Sequence, residues 1–128
     1  MKPELMWLLW AVALTVVQML IAVSGATLQV GLPKLAGNRD GLTDCTGWAG
    51  RAQRAHRNML ESLVLFAVLV LIAVVSSKTN SNTLLGAQVF VWARLVYAVV
   101  YMAGIPWLRT LVWLVSMIGL VIIFFQLV

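Results

Sequence analysis

Twelve consecutive residues, Gly50 to Glu61, hold an unusual share of this chain's polar chemistry, with Arg51, Arg54, Arg57, Asn58 and Glu61 recurring around a lone His56. At 100° per residue the three arginines, Asn58 and Glu61 fall within an arc of about 120°, so a helix here presents them on one face. His56 points away from that face and has no companions suited to a metal site, which favours a structural or interfacial role. A snorkelling helix end explains the arginines alone. It does not explain Glu61, a carboxylate one turn inside an apolar segment, which is costly unless paired. Arg57, at i, i+4, is the local partner the spacing predicts.

Further along, Phe90, Arg94, Tyr97 and Tyr101 follow one another at i, i+4, i+7 and i+11, a narrow stripe on one helical face. Tyrosines at this spacing are often core or interfacial belt. An arginine among them, at membrane depth, must be paired and must face a bundle interior or a cavity. Arg51, Arg54, Arg57, Arg94 and Arg109 thus stand against Glu61 alone, and guanidinium forks suit carboxylates. The expected ligand is anionic. Asn58 and Glu61 are suited to an amine, so a small zwitterion with more than one carboxylate fits the set.

The elements that must position these residues follow from composition. The 128 residues are one domain's worth of chain, 62% hydrophobic and only 10% charged, too apolar for a soluble globule of this size. Nine Lys and Arg against four Asp and Glu leave +5, but the charges sit between or beside apolar runs and form no patch suited to nucleic acid. A single cysteine, Cys45, permits no internal disulfide and no cysteine-based zinc cluster. Leu5 to Pro33 is free of charge over 29 residues, more than the ~20 needed to cross a bilayer. With it, spacing and breaks predict an all-α integral membrane protein, a four-helix bundle with spans near 4–31, 47–77, 82–104 and 107–128. The second begins well before its apolar run, so it projects from the membrane carrying the arginine face.

Lys78 to Asn82 is a polar turn, and Gly104-Ile105-Pro106 breaks the chain between the last two spans because proline cannot continue the helical ladder. The connection from Gly31 to Gly47, rich in turn residues, is expected to be an ordered loop or a short excursion at the membrane surface. Lys34, Arg39, Arg51, Arg54, Arg57 and Arg109 lie on one side of the membrane, Lys2 and Lys78 on the other. The bias of basic residues toward the cytoplasm places both termini outside it. A bacterial inner membrane is the expected setting.

Arg51-Ala-Gln-Arg54-Ala-His56-Arg57-Asn58-Met-Leu-Glu61 resembles the signature E-R-x-x-R-A-H-x-N-x-x-E of the MAPEG family, the membrane-associated proteins in eicosanoid and glutathione metabolism. Ala93-Arg94-Leu-Val-Tyr97-Ala-Val-Val-Tyr101 with Pro106-Trp-Leu-Arg109 is similar to that family's second signature, and the likeness in length and span order covers the whole chain. The resemblance implies a homotrimer that binds glutathione as cosubstrate between protomers. A lipophilic electrophile, lipid or hydroperoxide would be the second substrate. Arg51, Arg54, Arg57, Asn58, Glu61, Arg94, Tyr97 and Tyr101 would bind glutathione, with Arg94 pairing with Glu61 or reaching the ligand, and Arg109 would stabilise its thiolate. No metal is implied. Three positions depart from the pattern: Gly50 stands where many members carry an acid, Thr27 to Val30 lack a basic residue, and Tyr97 stands where prostaglandin E synthase-like members have histidine.

Two other classes compete. A small four-helix exporter would be expected to hold a membrane-embedded glutamate on its first span, where this chain has no charge from Leu5 to Pro33. A non-catalytic member would keep fold and assembly without turnover. A trimer is also expected on physical grounds, because Arg94 and Glu61 facing lipid would be expensive.

Overall fold

The computed structural model describes residues 1–41 and 45–128; of the Gly31–Gly47 connection, positions 42–44 lie outside the described residues. The described residues form five helices, α1 (Pro3–Gln29), α2 (Leu32–Ala36), α3 (Gly47–Val75), α4 (Ser81–Ala103) and α5 (Pro106–Leu127). All but α2 are long and apolar enough to cross a membrane. The chain is a multi-pass membrane helical bundle. Its second span carries the arginine face on one continuous helix, α3, as the extended polar start of that span predicts.

The helix ends have local causes. α1 and α5 begin with Pro3 and Pro106 in their first turns, where the missing N–H costs nothing. α4 starts with a capping box, in which the Asn80 side chain accepts from the Thr83 backbone and the Thr83 hydroxyl accepts from the Asn80 N–H. It ends at Gly104 in the left-handed region at φ 78°, a conformation glycine adopts without penalty. α3 stops at Val75, two residues before the predicted end, where Ser77 turns to φ 57°.

α4 is the central helix, since half of its span is buried inside the protein against 22–28% for the other three. It packs most closely on α5, where the two backbones touch through glycine: a Cβ on Gly86 would lie 2.7 Å from the Gly119 carbonyl, and one on Gly119 would lie 2.7 Å from that of Gly86. α1 lies along α3 through a similar approach of Gly25 to Ala49. Lipid is as apolar as leucine, so close packing of small residues, rather than apolar burial, supplies much of the attraction between these helices. Phe66 of α3 stacks on Phe90 of α4 with ring centroids 4.3 Å apart, at the heart of a core that Met59, Val70, Ala87 and Ile123 complete.

The long connection contributes α2 and is tied shut at its base. The Gln29 amide donates to the Thr46 carbonyl at 2.7 Å and accepts from the Thr46 N–H at 3.0 Å. This clasp joins the end of α1 to the start of α3 and fixes where the arginine face begins.

Candidate functional site

The arc of polar residues on α3 is divided by its neighbour. Arg51, Arg54 and Asn58 lie along the edge that meets α4, whereas Arg57 and Glu61 lie along the outer edge; Arg54, Arg57 and Glu61 are exposed, Arg51 and Asn58 partly buried. Asn58 Oδ1 accepts from Arg94 Nη2 at 2.7 Å. Arg54 Nε donates to the Tyr101 hydroxyl at 3.2 Å. Arg51 Nε donates to the Met102 carbonyl at 3.0 Å, one of the free carbonyls at the end of α4. Three residues of one helix face therefore grip the last three turns of the next.

The stripe on α4 is buried as its spacing predicts: Phe90, Arg94, Tyr97 and Tyr101 are all inside the protein. Arg94 is 1% exposed. Its guanidinium lies 4.2 Å from the centroid of the Tyr97 ring, and Tyr97 meets Tyr101 edge to face at 5.6 Å. Arg109, in the first turn of α5, stacks its guanidinium 4.6 Å from the centroid of the Tyr101 ring. Its position just past the Pro106 break predicts separation from the α3 cluster. Instead Tyr101 joins them, taking a hydrogen bond from Arg54 while Arg109 covers its face.

Among the described residues Glu61 forms no ion pair with Arg57 or Arg94, and the partner of Arg94 is the neutral amide of Asn58. The reason is rotational: Glu61 sits 60° further around α3 than Asn58, enough to carry it off the α4 seam. Arg94 Nε and Nη1 are left buried without hydrogen-bond partners. A guanidinium at this depth with two unanswered edges attracts an anion or a strong acceptor. The burial of Arg94 within the chain's own bundle removes it from the physical case for a trimer, which rests on Glu61.

Gly50 departs from the family pattern for a steric reason. A Cβ there would run into the Cys45 carbonyl, so no acidic side chain fits. His56, turned away from the arginines, lines a separate cavity of about 330 Å³ with residues of α1 and α2 and with Arg39 of the connection that follows α2.

Two buried polar residues escaped the sequence reading. Glu4 is 4% exposed, and its Oε1 accepts from the Thr83 hydroxyl at 3.1 Å, tying the start of α1 to the start of α4. It lies at the very end of the span, where a carboxylate ordinarily meets solvent. Gln18 is 6% exposed in mid-span, and a lone amide in an apolar run was the available signal.

Comparison with known proteins adds one finding: the model of the MAPEG family matches residues 5–128, nearly the whole chain. No curated protein and no solved structure matches.

Proposed function

The chain belongs to the MAPEG family, and on that premise we propose that it is a membrane-bound glutathione transferase or peroxidase. The family includes glutathione transferases and peroxidases as well as members without catalysis. The observation that carries the proposal is Arg94, buried with Nε and Nη1 unanswered beside two tyrosines and within one network of Arg54 and Arg109. Cationic groups outnumber carboxylates there, so the cluster favours a ligand with several negative oxygens.

Glutathione offers two carboxylates, an amine and a thiol. Arg54 and Arg57 suit the carboxylates, and Asn58 and Glu61 suit the amine. Arg51 keeps its terminal nitrogens for a ligand after Nε has capped α4. Arg94, Tyr97 and Tyr101 line the inner wall. Only a thiolate attacks, and a free thiol has a pKa near 8.5, so a fixed guanidinium beside the sulfur raises the reactive fraction at neutral pH. Arg109 is assigned that task. In transfer the thiolate forms a carbon–sulfur bond with the electrophile, which expels its leaving group or takes up a proton. In peroxidation two glutathiones reduce a hydroperoxide to alcohol and water and end as the disulfide. The polar thiol arrives from the cytoplasm and the lipophilic partner from the bilayer.

The assembly is proposed as a homotrimer, with both termini outside the cytoplasm. Isothermal titration of glutathione into detergent-purified protein, followed by conjugation of a model electrophile, tests the proposal. Saturable binding with turnover is expected. Binding without turnover assigns the chain to the non-catalytic members, and no binding overturns the proposal.

A further inference from the structure

The joint between α4 and α5 is an exposed elbow that α3 holds by one side chain. Within the joint, the Gly104 N–H reaches the Val100 and Tyr101 carbonyls at 3.1 and 3.0 Å, and the Ile105 N–H reaches that of Val100 at 3.4 Å. This is the closure that a left-handed glycine gives a helix end. It leaves the Met102 carbonyl, which accepts from Arg51 Nε at 3.0 Å. The Arg51 side chain also lies along Gly104, since a Cβ there would stand 3.8 Å from Arg51 Cδ and Nε. Among the described residues no helix other than α3 sends a side-chain hydrogen bond to the elbow, and Ala103 to Leu108 are all exposed.

The elbow leads directly to Arg109. The Arg109 N–H donates to the Ile105 carbonyl at 3.2 Å, so the turn that carries Arg109 is bonded to the elbow itself. From there its guanidinium lies 4.6 Å from the centroid of the Tyr101 ring, on the last turn of α4. The tight contact of Gly86 on Gly119 lies towards the other end of this helix pair, about 27 Å of helix from Gly104. Near the elbow, local contacts decide. Arg51 makes its contact from a fixed base, just over one turn beyond the Thr46 that Gln29 clasps.

We infer that Arg51 is a positioning residue: through the Met102 carbonyl it fixes the elbow, and the elbow keeps Arg109 over Tyr101. A guanidinium suits the task, because the last carbonyls of a helix lack helical partners and carry partial negative charge. Arg54 holds the same ring by its hydroxyl, so α3 sets both the phenol and the cation that covers it. The inference rests on the assignment of Arg109 to the glutathione thiolate. It gives Arg51 a part in reactivity that a contact to a ligand carboxylate would not.

Two substitutions separate the carbonyl from the charge. Glutamine places its amide nitrogen as many bonds from the backbone as Arg51 Nε and donates without charge, whereas methionine has the same length and no donor. Hydrogen–deuterium exchange of the detergent-purified protein, without glutathione, is followed over residues 100–109. Exchange should rise about tenfold in Arg51→Met, for the loss of one charge-assisted hydrogen bond, and stay near the wild-type rate in Arg51→Gln. The ultraviolet titration of bound glutathione is then compared. Arg51→Met should move the thiol's titration up, in the same sense as Arg109→Ala, and lower kcat. Arg51→Gln should bring the titration back, even as glutathione binds more weakly for want of the charge. Unchanged exchange in Arg51→Met overturns the inference without reference to glutathione. So does an equal loss of affinity in both variants with kcat and thiol titration as in the wild type, which makes Arg51 a ligand contact only. A wild type that binds no glutathione fails at the premise, whatever the exchange shows, and overturns both.

Discussion

Arg94 shows most clearly how a single residue sets both a cost and a use. It is buried in a membrane bundle with one neutral hydrogen-bond partner and two empty edges, which is a poor arrangement for stability and a good one for binding an anion. Arg94→Met, which keeps the length and removes the charge, is therefore predicted to raise thermal stability, by about 1–4 kcal/mol if it behaves like other buried charges replaced by apolar residues, while glutathione binding is lost. Thermal unfolding followed by circular dichroism, paired with calorimetric titration, reads both quantities. The need for a partner to Arg94 was legible from its place in an apolar span. Which partner it takes was not, because Asn58 and Glu61 differ by a rotation of 60° on α3 and sequence spacing does not fix which edge of an arc meets the neighbouring helix.

At the scale of the helices, the four spans and the break at Gly104 to Pro106 were legible because apolar runs, proline and glycine act locally. What the pattern did not carry was how closely the helices approach one another. Gly86 and Gly119 look unremarkable in sequence, yet each would drive a Cβ into the other's carbonyl. Gly86→Val is predicted to force α4 from α5 and destabilise the bundle by about 1–3 kcal/mol, the range for overpacked cores. A lower unfolding temperature in detergent, with glutathione affinity reduced because Tyr101 and Arg109 sit on those two helices, is the expected result. The Gln29–Thr46 clasp was equally invisible, since it joins residues seventeen apart across a loop of varied composition. Gln29→Ala should loosen the loop and increase proteolytic cleavage between Gly31 and Gly47, leaving the spans intact.

For the whole molecule, the exposed Glu61 is the residue on which the proposed trimer is tested. The carboxylate stands where the apolar half of α3 begins, exposed, with no cation at salt-bridge distance among the described residues. If neighbouring protomers and glutathione enclose it, Glu61→Leu should weaken the trimer or the binding of glutathione, seen by mass spectrometry of the intact complex and by calorimetry. If instead it faces lipid, the same change should stabilise the protein, since a charge at membrane depth costs roughly 2.5–3.5 kcal/mol on insertion scales. The most direct test of glutathione activation is the ultraviolet absorbance of the bound thiolate, followed against pH in the wild type and in Arg109→Ala. The guanidinium favours the anion, so the thiol of bound glutathione should titrate below its free value near 8.5 in the wild type. It should move back up by about one unit in Arg109→Ala, with a roughly tenfold slower conjugation at neutral pH and a much smaller loss of affinity. Identical titration curves for the two proteins, in a wild type that turns over, would contradict the role assigned to Arg109.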